Sequence, residues 1–310
     1  MYKKIILYFL FTTAVFGCGK PLYRDSEFIM GTFVEVASTD PRAKAIVFDE
    51  FKRLQKAFDM FDEQSELSRL NKTGELTASE DLFFVLKKAR EFYGLTEGAF
   101  DVTVAPVSIL WKRAITRSEL PVVEAIEDAL YLVGFDGVYL DEDTRQVKLL
   151  KMGAMIDLGG IAKGYAVDKA ITMLKKAQVS SAIVNAGGNI YCLGPNGRKA
   201  WRVGIQDPRV SKNLSARIEL IDKAVATSGD YEQFFTFQNK RYSHIIDPKT
   251  GYPADSGVIS ATIVADDAMT ADVLSTSIVV LGLQKGRRLL KNFPGVSGKV
   301  VDVQDKVHDL

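Results

Sequence analysis

Four short stretches of this chain carry side chains able to do chemistry on a charged substrate. The first is Asp157-Leu158-Gly159-Gly160-Ile161-Ala162-Lys163-Gly164. An apolar run with one acid enters paired glycines. A helical pattern then opens at Ile161 and carries Val167, Ala170, Ile171, Leu174 and Ala177 on one face. Strand, glycine turn and helix are the expected order, which aims free backbone N–H groups and the positive end of a helix at an anion. Lys163 falls in the first helical turn, where a cation opposes the dipole unless a phosphate lies nearby to be neutralised. A Gly-Gly pair alone would also serve a tight connection, and the spacing fits neither the dinucleotide fingerprint nor a Walker loop.

The second stretch, Ala271-Asp272-Val273-Leu274-Ser275-Thr276, sets Asp272 and Thr276 one helical turn apart on one face. A carboxylate and a hydroxyl are hard oxygen donors that suit Mg²⁺, which takes one or two protein carboxylates and completes its shell with phosphate and water. The rest of that helix is strongly apolar, so its acid needs a partner. The third, Ser243-His244-Ile245-Ile246-Asp247-Pro248-Lys249-Thr250-Gly251, contains one of two histidines; the other, His308, lies at the C-terminus. His244 suits a general base, or a histidine satisfied in a core, while Asp247 to Gly251 is a turn signature. The fourth, Thr227-Ser228-Gly229-Asp230-Tyr231, lacks the flanking glycines of a nucleophile elbow, which argues against Ser228, His244 and Asp230 as a hydrolase triad.

The elements that must position these residues read as α+β. Phe28 to Val36 is expected as a strand broken by a glycine near its start. Helical stripes follow at Val47, Phe51, Leu54 and Phe58, and at Leu82, Val85, Leu86, Ala89 and Phe92. Gly98 closes the second helix. A helix is expected from Pro121 to Val133, then a hairpin of Val138 to Leu140 with Val147 to Leu149. Strands are expected at Ser181 to Ala186, Trp201 to Ile205, Ala216 to Leu220 and Val258 to Ala265. Asp267 should cap a helix from Ala268 to Leu281 that Gly282 ends. Strands close enough to form hairpins imply largely antiparallel sheet within one catalytic unit, residues 28–310.

With 310 residues, 47% hydrophobic and 25% charged, the composition is that of a globular protein, and a net charge of +1 gives no argument for nucleic acid. The start differs. Lys3 and Lys4 precede an apolar run from Ile5 to Phe16 that is too short to span a bilayer. The run ends Val15-Phe16-Gly17-Cys18, resembling a bacterial lipoprotein signal (residues 1–17) with lipid on Cys18 and a tether over 18–27. That puts the working part on the periplasmic side, anchored to the membrane rather than spanning it. Cys192, in an apolar context, reads as a buried small hydrophobe.

Taken together, the chain resembles the ApbE family of flavin transferases. The resemblance rests on Met30-Gly31-Thr32, Ser65 to Asn71, Gly98-Ala99-Phe100-Asp101, Asp157 to Ala166, Asn185-Ala186-Gly187-Gly188, Thr227 to Tyr231, His244 to Pro248 and Ala271 to Thr276, in that order. It implies an α+β unit with a flavin cleft that takes FAD and Mg²⁺, moves FMN through its phosphate onto a threonine of an acceptor flavoprotein, and releases AMP. Acceptors would belong to membrane redox complexes or the periplasm. By motif, Met30, Ala99, Phe100, Asp101, Asp157, Lys163 and Ile246 would line the FAD site. Phe61 falls where many members have tyrosine, keeping the ring and losing the phenol. The Gly160 carbonyl with Asp272, Ser275 and Thr276 would hold the metal, and His244 would take the threonine proton. The alternatives are a Mg²⁺-dependent FAD pyrophosphatase giving FMN and AMP, and a flavin-binding lipoprotein without chemistry.

Overall fold

The computed structural model describes residues 21–310, apart from 118, 211, 212, 233 and 239. The signal segment and Cys18 lie outside the described residues. Strand β1 (Tyr23–Ile29) and strand β2 (Thr32–Ser38) form a hairpin, so the folded unit begins five residues before the expected boundary at Phe28. An edge strand with one face in water reads as polar linker, which is why Tyr23 to Glu27 looked like tether. The expected glycine break is the turn itself: Met30 and Gly31 both have positive φ (54° and 73°), as a two-residue type I′ turn requires. Methionine is a poor residue for that conformation, and its N–H is tied to Gln55 Oε1 at 2.7 Å.

Helix α1 (Ala43–Phe58) follows, then α2 (Glu66–Thr73), β3 (Glu75–Thr77) and α3 (Glu80–Leu95). Ser65 caps α2 by accepting from Ser68 N–H, and Ser79 caps α3 through Leu82 N–H. Helices α4 (Ala105–Arg117) and α5 (Val123–Tyr131) precede the expected hairpin, β4 (Val138–Leu140) with β5 (Gln146–Leu149). Then come α6 (Ala162–Lys176), β6 (Ala182–Ala186), β7 (Asn189–Leu193), β8 (Trp201–Gln206), β9 (Leu214–Leu220) and β10 (Lys223–Gly229). The chain closes with β11 (Phe234–Phe237), β12 (Lys240–Ser243), β13 (Val258–Ala265), α7 (Ala268–Leu290), β14 (Ser297–Asp302) and β15 (Val307–Asp309).

The main sheet runs β1-β2-β6-β7-β10-β13-β14-β15, with every neighbouring pair antiparallel. Helix α1 lies on β1 and β2, α6 on β6 and β7, and α7 on β10 and β13, so three helices cover one face. Phe51, Leu54, Val47, Leu174, Ile263 and Leu274 are buried in that layer. The hairpin β8–β9 covers part of the other face, where Trp201, Val203 and Leu220 pack on Cys192 and Val225. A third cluster joins α4 and α5 to the 245–254 loop through Val107, Trp111, Ile126 and Ile246, and Trp111 Nε1 donates to the Gly251 carbonyl at 2.8 Å.

One expectation changes. No strand precedes Gly159: residues 154–158 belong to no sheet, and Ile156 is held by one side chain, Asn71. Its amide donates to Asn71 Oδ1 at 2.7 Å, and Asn71 Nδ2 donates back to its carbonyl at 2.9 Å. An asparagine thus satisfies the backbone that a strand partner would have satisfied. Gly282 ends the helical run from Ala268, as expected, and a second run that was not expected follows directly, so α7 is two helices joined at a kink. The backbone there is non-helical (φ 77°, ψ 171°), and the helix resumes to Leu290. Among the described residues no helix is long and apolar enough to cross a membrane.

Burial drives the Cys192 thiol up to about 12, which leaves almost no thiolate at neutral pH. In a Cys18→Ser chain, a thiol reagent at about pH 8 should label the native protein negligibly and the urea-unfolded protein fully. Rapid labelling of the native form would contradict this burial. Phe51→Ala should cost about 3–5 kcal/mol in equilibrium denaturation, because the ring is fully enclosed.

Candidate active site

The chemistry-bearing stretches meet at one end of the sheet. The β1–β2 turn touches the β6–β7 turn: a Cβ on Gly187 (φ +58°) would stand 2.4 Å from Thr32 Oγ1, and Gly187 N–H donates to the Phe33 carbonyl at 3.3 Å. Asn185 Oδ1 accepts from Gly188 N–H and fixes that second turn. On the neighbouring strand β10, Ser228 sits beside the middle of α7. Its Oγ lies 2.8 Å from Ser275 Oγ and 3.1 Å from Thr276 Oγ1, and Ser275 Oγ donates to the Asp272 carbonyl at 2.9 Å. Three hydroxyls therefore surround the turn of helix that bears Asp272.

Asp272 is 4% exposed. Its Oδ2 accepts from Gly164 N–H at 3.1 Å. Burial holds its carboxyl above the ordinary value, opposed by the Lys163 charge, the Gly164 amide and the Asn189 side chain. In an uninterrupted helix the Gly164 amide would donate to the carbonyl four residues back, that of Gly160. Here Gly160 precedes the N-cap Ile161, so its carbonyl lies outside the ladder of α6, and the Gly164 N–H, one of the open donors of that helix start, is taken by Asp272. Gly160 lies between Phe100 and Thr276: a Cβ there would stand 3.1 Å from Phe100 Cε2 and 3.8 Å from Thr276 Oγ1. The glycine turn before α6 and a buried carboxylate and a hydroxyl on α7 thus come to one place.

This donor set fits a hard divalent cation. It is all oxygen with a single carboxylate, the composition that suits Mg²⁺ when a phosphate-bearing ligand supplies the rest. Among the described residues no group of three His, Cys, Asp or Glu side chains is placed to hold a metal, which speaks against a zinc-like all-protein cage. Lys163 Nζ donates to the Gly159 carbonyl at 2.6 Å, folding the lysine back over the glycine turn.

A second group forms the outer wall. Asp157 Oδ1 accepts from Gly159 N–H at 2.8 Å, while its other oxygen lies 3.9 Å from Lys112 Nζ. The same ammonium stands 5.3 Å from the centre of the Phe61 ring, which is 70% exposed and offers its face to solvent. Ala99 and Phe100 are buried behind Gly160.

The structure therefore brings together Phe61, Phe100, Asp157, Gly160, Lys163, Asp272, Ser275 and Thr276. The remaining expected residues have other immediate contacts. Asp101 is buried, with Oδ1 accepting from both Thr103 N–H and Thr103 Oγ1–H, which caps the turn after it. Ile246 packs with Trp111, one residue from Lys112. Met30 holds the hairpin tip. His244 is exposed on the segment that follows β12. Residues not anticipated are Lys112, which no sequence signal marks; Asn189, which ends the Asn185–Gly188 glycine turn; and Ser228, considered only as a nucleophile, whose hydroxyl instead joins Ser275 and Thr276.

A wholly antiparallel main sheet, layered on one face by helices and gathering a buried carboxylate, hydroxyls, a lysine and a glycine turn at one end, defines an α+β protein with one polar site. The ApbE family model matches residues 30–298, and the chain belongs to the ApbE family. It is 33% identical over 299 residues to the FAD:protein FMN transferase of Treponema pallidum, covering 88% of this chain and 83% of that protein. With the FAD:protein FMN transferase of Haemophilus influenzae it shares 35% over 245 residues, 76% of this chain and 71% of the other. Among solved structures, the ApbE protein of Thermotoga maritima superposes with a TM-score of 0.85 at 36% identity, covering 93% and 96% of the two chains. The flavin transferase ApbE of Vibrio cholerae gives 0.81 at 29%, covering 94% and 96%.

Because the native, metal-free protein holds the Asp272 proton more tightly than the unfolded chain does, stability tied to that proton is present below the unfolded value of 3.8 and is lost as pH rises through the native one. In chelator, urea midpoints measured between about pH 5 and about pH 8 should fall less steeply for Asp272→Asn than for wild type. Parallel curves would show that the carboxylate bears no burial cost.

Proposed function

We propose that this chain transfers the FMN moiety of FAD, through its phosphate, to a threonine hydroxyl of an acceptor flavoprotein in a Mg²⁺-dependent reaction that releases AMP. The observation that carries the reading is the convergence of Asp272, Thr276 and Gly160 beside Lys163, within a family whose relatives are named FAD:protein FMN transferase. In the reaction a bond forms between the threonine oxygen and the FMN phosphorus. The bond from that phosphorus to the bridging oxygen breaks, and AMP leaves with that oxygen. A divalent cation held by Asp272, Thr276 and the Gly160 carbonyl, with Ser275 alongside, would neutralise charge on the diphosphate.

The chain's own residues supply the rest. Lys163, on the glycine turn, adds positive charge where the diphosphate would lie. The exposed face of Phe61, backed by the Lys112 ammonium, gives a flat ring a stacking surface. His244 is open to solvent on the segment after β12, as a base meeting a hydroxyl from a separate protein must be. The lipid anchor is part of the same proposal. With lipid on Cys18 and β1 beginning at Tyr23, only four residues separate the two, so the catalytic unit would sit within about 17 Å of the periplasmic face of a membrane.

His244→Ala should bind FAD normally and lose FMN transfer, read by mass spectrometry of a threonine-bearing acceptor. Transfer at the wild-type rate would remove His244 from the mechanism. Asp272→Ala should abolish both transfer and AMP release. Incubating FAD and Mg²⁺ with and without acceptor separates transfer from hydrolysis: AMP release independent of acceptor would favour the pyrophosphatase instead.

A further inference from the structure

Helices α6 and α7 meet more closely than side-chain packing allows. A Cβ on Gly164 would stand 2.5 Å from the Ala268 carbonyl oxygen and 2.6 Å from Met269 Cα, so backbone lies on backbone. Two polar contacts tie the helices together there. The Asp168 carboxylate accepts from Ala268 N–H at 2.7 Å and from Met269 N–H at 2.9 Å, occupying the start of α7 from outside that helix. Gly164 N–H donates to Asp272 Oδ2. Four residues separate Gly164 from Asp168, and four separate Ala268 from Asp272, so the contacts are two rungs about 6 Å apart.

A helix start leaves four N–H groups open, of which Asp168 takes two from outside α7. Asp267 already accepts from Thr270 N–H at 2.7 Å, and this is the ordinary N-cap bond. Burial pushes the Asp168 carboxyl up to about 7 despite the two amides, and the neighbouring Asp267 and Asp272 charges add to the cost. The two bonds of Asp168 satisfy amides that Asp267 leaves open, and because Asp168 lies on α6 they also tie the two helices together.

We propose that Asp168 and Gly164 are positioning residues, a two-rung clamp between α6 and α7 that sets Asp272 against the Gly159-Gly160 turn so that carboxylate, carbonyl and hydroxyl can share one cation. The clamp rests on the Mg²⁺ reading of the site. Without the Asp168 rung, α7 is free to slide or tilt on α6, and the carboxylate loses its register with Gly160 and Thr276. Groups that orient metal ligands from outside the ligand set change affinity by about 10–100-fold when removed, and the same range is expected here.

The test is the thermal shift of the full chain in FAD as MgCl₂ is titrated, which reads cation binding without catalysis. Asp168→Ala should need at least about tenfold more Mg²⁺ for half the shift, with Asp168→Asn, which keeps one acceptor, in between. Ser38→Ala is the control. It removes a buried hydroxyl bonded to the Ser181 carbonyl at the far end of β2, so it should lower the melting temperature and leave the Mg²⁺ midpoint unchanged. If Asp168→Ala does not fold, Asp168→Asn decides alone, with an expected midpoint at least about threefold above wild type. A midpoint within about twofold of wild type in the folded variant would overturn the clamp. A wild-type protein that Mg²⁺ does not stabilise would overturn the cation reading itself, and the clamp with it.

Discussion

The arrangement depends on a single negative charge held inside a helix. Asp272 lies in the second turn of α7, flanked by the buried residues Ala271, Val273 and Leu274, where an unpaired carboxylate is costly. The protein offsets that cost only in part, with one amide from α6, the Asn189 side chain and the nearby Lys163 charge. The bond that orients the carboxylate uses an open donor at the start of α6, just after the Gly159-Gly160 turn, so one hydrogen bond between two helices sets Asp272 beside that turn.

The rest of the fold can be understood as support for that contact. An antiparallel sheet brings its turns together at one end, so the Met30–Gly31 and Gly187–Gly188 turns and the end of β10 lie side by side. Helices α6 and α7 pack on adjoining strands of that sheet and meet at Gly164 with no side chain between them. Ser228 reaches from the sheet to Ser275 and Thr276, linking strand and helix through hydroxyls, while Phe100 closes the space behind Gly160. Glycine at 160 and at 164 serves opposite ends of this geometry: the first lets a ring and a hydroxyl approach the turn, the second lets two helices touch.

Much of this was legible in the sequence, and the exceptions have physical reasons. The spacing of Asp272 and Thr276, the cap at Asp267 and the apolar stripes of α1 and α3 all act within one element, where periodicity and capping chemistry speak directly. The β1–β2 turn was hidden because methionine occupies a position where asparagine or aspartate would signal type I′. The expected strand before Gly159 is instead a segment held by Asn71, a residue 85 positions away, and no local pattern reveals such a partner. Lys112 is one of many exposed lysines by composition, and only the fold places it over Phe61 and beside Asp157. Cys192 was read correctly as a small buried hydrophobe because its neighbours in sequence are also its kind of neighbour in space.

The central claim is that Asp272, Thr276 and the Gly160 carbonyl share one divalent cation beside a bound flavin dinucleotide. Crystals grown with FAD and Mn²⁺ and measured at the manganese absorption edge test it most directly. The account predicts one anomalous peak at coordination distance from those three oxygens and from a phosphate of FAD. A peak elsewhere, or none at Asp272 while the diphosphate is bound beside Lys163, would contradict it.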